Sequence, residues 1–209
     1  MRIRRGSRIR RTIGGAGIAV LAVVGSTAAM HITPTVVLNK RADVIRKTLP
    51  GATKFFVRSV KIGKTDLAQI RAAASFTPEN PKFDFFYGKS DDGRILGTVL
   101  FPQVNTQHGP LEVGLTVDPS GVVTSAIVTK ATVETKPWML AAVRAGLMKQ
   151  FVGLRVGTHA ETTLESLRTD GLSRMPRYMA QVAATAVKRG LTLYQVLYAS
   201  QQIAEKNPA

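Results

Sequence analysis

The 209-residue chain contains no cysteine. That excludes disulfides, cysteine-ligated iron–sulfur clusters and c-type haem attachment. Any redox centre it carries must be organic. Histidine is almost as scarce: His31, His108 and His159 stand far apart and show no metal-ligand spacing. Aromatic residues make up only 6% of the chain, and no RNA-recognition or zinc-finger signature accompanies them. Acidic residues are few, 13 against 29 Lys and Arg, which leaves a formal charge of +16. So basic a balance implies an acidic protein surface or anionic lipid as partner. Nucleic acid fits less well, because aromatics are sparse and an apolar segment lies near the N-terminus. Catalytic patterns are missing too. There is no Ser/His/Asp arrangement, no pair of carboxylates on one helix and no P-loop. Internal repeats and low-complexity linkers are also absent.

What is present begins with a basic arm, Met1–Thr12, rich in arginine. Residues Ile13–Ile32 follow as an uncharged run, IGGAGIAVLAVVGSTAAMHI. About 20 helical residues cross the hydrocarbon core of a bilayer. The preferred reading is an uncleaved transmembrane anchor, with the arginines holding the N-terminus in the cytoplasm and the body in the periplasm. The rival reading is a cleaved signal peptide, with Ser26-Thr27-Ala28 as its cleavage site and Arg10-Arg11 hinting at twin-arginine export. Both place the body in the same compartment.

The hydrophobic content, 44%, suffices for one sizeable core after the anchor. Val36–Leu49 reads as a helix closed by Pro50-Gly51. Phe55–Ile62 reads as a strand, and Thr65–Ala74 as a short helix capped by Thr65. Phe83–Tyr87 and Ile95–Phe101 flank Asp91-Asp92-Gly93, a hairpin signal. Leu111, Val113, Leu115 and Val117 alternate with Glu112, Gly114 and Thr116, the pattern of a half-buried strand. Asp118-Pro119-Ser120-Gly121 fits a type I turn, and Val122–Thr129 returns antiparallel. Pro137 opens a helix to about Gln150. A further helix runs from near Pro176 to Gly190, with Met179, Val182, Ala183, Ala186 and Val187 at helical spacing. Thr192-Leu193-Tyr194-Gln195 then matches a capping box for a last helix, and 201–209 is a tail. The fold class expected is α+β: an antiparallel sheet meander flanked by helices, preceded by one transmembrane helix.

From about Ala42 to Tyr198 the chain resembles the FMN-binding domains in the flavin subunits of sodium-pumping NADH:quinone reductase and the Rnf electron-transport complex. The resemblance rests on motifs in shared order. They are Leu49-Pro50-Gly51-Ala52, Gly97-Thr98-Val99-Leu100, His108-Gly109-Pro110-Leu111 and Val113-Gly114-Leu115-Thr116-Val117-Asp118. Ser120-Gly121-Val122-Val123, Glu134-Thr135 and Lys149-Gln150-Phe151-Val152-Gly153-Leu154 follow. It implies a domain over 36–200, an FMN cofactor, and a place as an electron-transfer subunit of a membrane redox complex. An accessory subunit that keeps the fold but has lost the flavin is the alternative.

The family's flavin attachment motif is Ser/Asp-Gly-Ala-Thr-x-Ser/Thr, whose Thr takes FMN through a phosphoester. Here the matching run is Asp170-Gly171-Leu172-Ser173-Arg174-Met175, without the threonine. Counting back from Lys188-Arg189-Gly190-Leu191 puts Pro176 or Arg177 near the acceptor position instead. The first register leaves Ser173 as the alternative acceptor hydroxyl and the second leaves none, so a flavin held without a covalent bond is the preferred reading. Gly51-Ala52-Thr53 is read as a structural turn, and Gly153-Gly157 with Thr158 and His159 as a structural loop.

A flavin site needs a phosphate cradle, walls for the ring, and polar groups at the ring edge. Helix N-termini near Pro137 and near Ser173 offer free N–H groups. Arg174 and Arg177 sit at the second, where cations are otherwise unfavourable; solvated surface arginines are the alternative. The resemblance brings His108, Gly109 and Pro110 close to the ring, with Gly109 permitting close backbone approach. A turn with a solvent-facing histidine is the competing reading. Glu134, Thr135 and Lys136 follow the next strand; Thr135 either meets the flavin edge or caps the helix. Trp138 and Tyr178 are candidate ring walls or plain core.

Overall fold

The computed structural model describes residues 33–157 and 167–199. The basic arm, the run Ile13–Ile32, Thr158, His159 and the tail lie outside them. Among the described residues no helix is long and apolar enough to cross a membrane.

The body is α+β. Seven strands form one antiparallel sheet: β1 (Thr35–Val37), β2 (Lys54–Lys61), β3 (Lys82–Lys89), β4 (Ile95–Leu100), β5 (Gln103–Thr106), β6 (Gly109–Val117) and β7 (Val123–Thr132). Their order is β1-β7-β6-β4-β3-β2, with β5 also on β6. The described residues also form four helices: α1 (Arg41–Thr48), α2 (Lys64–Ala74), α3 (Lys136–Arg144) and α4 (Arg174–Leu193). A 3-10 turn, Leu147–Phe151, follows α3, and a π-turn, Tyr194–Ala199, continues α4.

The main core lies between the sheet and α4. Leu111, Leu115 and Val117 of β6 pack there with Phe85, Ile70, Met179, Ala183 and Val187. Each large apolar side chain buried this way contributes roughly 1.5–3 kcal/mol. A smaller cluster, Val44, Leu49, Val99 and Phe101, joins α1 to the opposite face.

β6 therefore has cover on both sides. The alternation of its sequence is real, but its polar face is not solvated: Glu112, Gly114 and Thr116 are as buried as Leu111 and Leu115. The reason is α1. A Cβ on Gly114 would stand 3.0 Å from Val44 and from Phe101. Glycine here lets α1 come down onto the strand.

Several boundaries differ from the expected ones. Thr35–Val37 is a strand paired with Lys130–Thr132, and the helix starts only at Arg41. β-branched Thr35, Val36 and Val37 suit that edge, and the Asn39 side chain donates to Val128 O at 2.8 Å. Gly63, not Thr65, precedes α2, and its N–H donates to the Asp66 carboxylate at 2.8 Å. The Pro137 helix stops at Arg144, and Gly146 in the left-handed region opens the 3-10 turn. Gly190 does not end α4. A Cβ there would meet Pro102 at 2.8 Å and Leu115 at 3.2 Å, so this glycine serves close helix–sheet approach. Thr192 does not cap a new helix; its hydroxyl donates to Lys188 O one turn back, at 3.0 Å.

β5 was not foreseen. It continues the line of β4 along β6 after a break at Phe101-Pro102, since proline has no N–H for the ladder. The two sequence hairpins are present. Asp118 accepts the N–H groups of Ser120 and Val122 at 2.9 Å, and Gly121 takes φ +80°. Gly93 takes φ +83° between β3 and β4.

Candidate functional site

The β5–β6 hairpin closes with Thr106 opposite Gly109, so Gln107-His108 form its tip. The Thr106 hydroxyl accepts the His108 N–H at 3.1 Å and donates to Gly109 O at 2.9 Å. Gly109 has φ +93°, and a Cβ would stand 2.5 Å from Thr132 Cγ2. Only glycine fits both the turn and the contact with β7.

Thr132 fastens the tip. Its hydroxyl donates to His108 O at 3.0 Å and accepts the Thr135 N–H at 3.1 Å. Thr135 returns the bond, its hydroxyl accepting the Thr132 N–H at 3.1 Å. The two hydroxyls lie 2.9 Å apart, so Thr135 is the donor between them. Buried Thr135 is thus committed to Thr132, and its side chain does not cap α3.

This lock places the His108 ring. Nδ1 lies 2.9 Å from Glu134 Oε1, and Nε2 lies 3.2 Å from Gln107 Nε2. An amide nitrogen can only donate, so Nε2 accepts and Nδ1 carries the proton toward Glu134. Trp138 and Tyr178 meet the ring edge-to-face, with centroids 5.5 and 5.9 Å away. Glu134 Oε2 also accepts from Thr33 Oγ1 at 3.4 Å. The His108 and Glu134 side chains keep 21% and 40% of their surface, so the pair is open to solvent.

Six of the sequence candidates meet here: His108, Gly109, Glu134 and Thr135 through the lock, Trp138 and Tyr178 through the ring. Pro110 pairs with Asn105 in the ladder just below. Lys136 is exposed as the first residue of α3. Ser173 is the N-cap residue of α4, with its hydroxyl making no cap bond and no acidic residue in the first turn. Arg177 bends back to donate to Leu172 O at 3.1 Å. Arg174 is exposed and has no hydrogen bond or ion pair among the described residues. Tyr178, in the second turn of α4, connects that terminus to the His108 cluster. Among the described residues, Ser173, Arg174 and Arg177 form no hydrogen bond with the His108 ring.

Two parts of the arrangement were invisible in the sequence. Thr132 lies beyond the expected strand Val122–Thr129 and was not among the candidates, although its spacing of three from Thr135 is the pattern of a reciprocal hydroxyl–backbone clasp. Gln107 sets the tautomer of His108 from the neighbouring position. Among the described residues, no three His, Asp or Glu group as a metal site. Set against protein-family models, curated proteins and solved structures, the chain finds no match in any of the three.

Proposed function

We propose that this chain is a membrane-anchored, FMN-binding-type electron-transfer subunit of a larger redox complex, with its flavin held non-covalently. The observation that carries the reading is the His108 ring, held between Trp138 and Tyr178 and bonded to Glu134, beside the start of α3.

The residues present fit an FMN group. A flavin brings an aromatic ring system with polar edges and a phosphate. Trp138 and Tyr178 supply aromatic surface, and the His108–Glu134 pair supplies a proton-carrying polar edge. The first turn of α4 has uncapped N–H groups and Arg174 free to meet a phosphate. Ser173 stands at the same terminus as a neutral donor. Lys136, next to Glu134, adds a positive charge at the rim. When bound, the flavin supplies one- or two-electron transfer; the protein's own part is to bind, orient and tune it.

In this reading Ile13–Ile32 anchors the chain in the inner membrane as a single pass, with the arm cytoplasmic and the body periplasmic. The excess of Lys and Arg then faces anionic lipid and acidic surfaces of the neighbouring subunits.

A second reading, an accessory subunit that has lost the flavin, draws on two observations. Asp170–Met175 lacks the acceptor threonine, and both His108 ring nitrogens already have protein partners.

One preparation separates the two. Purified in mild detergent, the protein should be yellow, with flavin absorbance near one equivalent. Denaturation should release FMN from the parent protein and from any flavin-loaded Ser173→Ala alike. A colourless protein that takes up no added FMN supports the second reading. Flavin that stays on the denatured chain overturns non-covalent binding.

A further inference from the structure

A cleft of about 220 Å3 opens beside α4, lined by Arg189 and Leu193 of that helix, by β3 and by the loop Phe76–Asn80. Arg189 lies 11 residues beyond Tyr178, about 16 Å along the helix axis at 1.5 Å per residue. The cleft is therefore separate from the His108 cluster. It is smaller than the roughly 300–1,000 Å3 of ordinary small-molecule sites, so its occupant is small.

Three carboxylates and three cations border it, yet they are not equally free. Glu112 is bound by Arg41, Thr129 and Lys130. Glu79 accepts from Asn105 Nδ2 at 2.6 Å. Asp84 accepts from the Ser59 hydroxyl. Every acid has an internal donor, whereas only one of the three cations, Arg41, has a carboxylate. The side chains of Lys82 and Arg189 have no hydrogen bond or ion pair among the described residues.

Arg189 is the unusual member. Its guanidinium rests on the Phe76 ring, 4.9 Å from the centroid, and is half-buried. Burial pushes it below its ordinary value, against the pull of Glu79, while arginine remains charged at any physiological pH. A desolvated guanidinium whose planar fork has no oxygen to meet is an incomplete arrangement. Three further aromatic rings line the cleft: Phe83 from the sheet face that packs on α4, and Phe86 and Phe101 from the α1 face.

We propose that this cleft binds a small carboxylate with a flat apolar body, its carboxylate on the fork of Arg189 with Lys82 beside it, its body among the phenylalanines. Arg189 supplies paired donors and Lys82 a point charge. The aromatic walls distinguish such a ligand from a bare anion. The site is independent of the flavin reading.

The test uses the full chain in detergent micelles, labelled with 15N and titrated with sodium benzoate. The expected result is saturable, one-to-one shifts at the backbone amides near Arg189 and Lys82, with the amide of His108 unmoved. Benzamide, which has the body without the charge, should bind at least tenfold more weakly. So should inorganic phosphate, which has charge without the body. Arg189→Gln should weaken benzoate at least tenfold, the loss expected of a charge-assisted pair. Lys82→Gln, an exposed change that leaves the core alone, should weaken it about threefold and serves if Arg189→Gln fails to fold. The proposal falls if benzoate does not saturate, if benzamide or phosphate matches it, or if both variants bind as the parent does.

Discussion

Two glutamates hold the β5–β6 hairpin, and they are held in opposite ways. Glu112, in the middle of β6, has no exposed side-chain surface. Arg41 binds it through Nε and Nη2, Thr129 through its hydroxyl at 2.8 Å and Lys130 at 3.3 Å. Glu134, at the tip, is 40% exposed and among the described residues bonds only the His108 ring and Thr33. The first carboxylate is saturated and fixes α1 to the sheet. The second retains lone pairs and solvent. A buried charge must be satisfied for the fold to exist. A half-open pair can exchange partners, which a binding site requires. Within one hairpin, satisfaction marks the structural ion pair and incomplete satisfaction marks the candidate site.

The largest expected difference is in stability. Glu112→Ala removes the acceptor of three donors and should cost about 3 kcal/mol, the low end for a buried pair because Arg41 is half exposed. Glu134→Ala should cost less than about 1 kcal/mol, as surface pairs do. Urea denaturation of the two variants measures both, and equal losses would erase the contrast.

Gly109→Ala comes next. A Cβ at φ +93° and 2.5 Å from Thr132 should cost about 2 kcal/mol and displace His108. His108→Ala at the same tip should cost under about 1 kcal/mol while, on the flavin reading proposed above, lowering flavin retention. A loss of stability in His108→Ala as large as in Gly109→Ala would make the ring part of the scaffold and not of a site.

Acid should sharpen the contrast from another side. Burial raises the Glu112 carboxyl, but hydrogen bonds from Arg41 and Thr129, with the charges of Arg41 and Lys130, carry it below its ordinary 4.5. A group whose folded value is depressed stabilises the fold above its unfolded value, and that share vanishes as pH falls through the folded one. Urea midpoints should therefore drop as pH falls below about 4.5, and Glu112→Gln should drop less steeply. Identical slopes would mean that other carboxylates carry the acid response.

The smallest effect is expected at Thr116, four residues from Glu112 along β6. Its buried hydroxyl has no hydrogen-bond partner among the described residues. Thr116→Val should be neutral or stabilise by up to about 1 kcal/mol in the same urea assay, because an unsatisfied polar atom leaves and the shape remains. A clear destabilisation would reveal an unseen partner on the α1 face.

Local chemistry made much of the chain legible. Asp118-Pro119-Ser120-Gly121 and Asp91-Asp92-Gly93 announced their turns because backbone sterics act within four residues. The runs at Phe55, Phe83, Ile95 and Leu111 announced strands by composition and spacing. Within the candidate site, His108, Gly109, Glu134, Trp138 and Tyr178 were legible as residues. β5 was not, because Gln103-Val104-Asn105-Thr106 carries a single apolar side chain and becomes a strand only by pairing with β6. Val36–Leu49 hid a strand for the same reason: Thr35–Val37 needs β7 to be one.

The two hairpin turns, the longer strands and helices and the α+β class follow from the sequence by itself, since each depends on neighbours along the chain. Tertiary structure alone decided which of those residues meet. It turned Gly190 from a helix stop into a point of contact with Pro102, and the polar face of β6 into an interior occupied by Glu112. It also tied Thr132 to Thr135 and so held His108 between two rings. Those outcomes depend on atoms brought together across long stretches of sequence, where packing distance and the need to satisfy buried polar groups outweigh local preference.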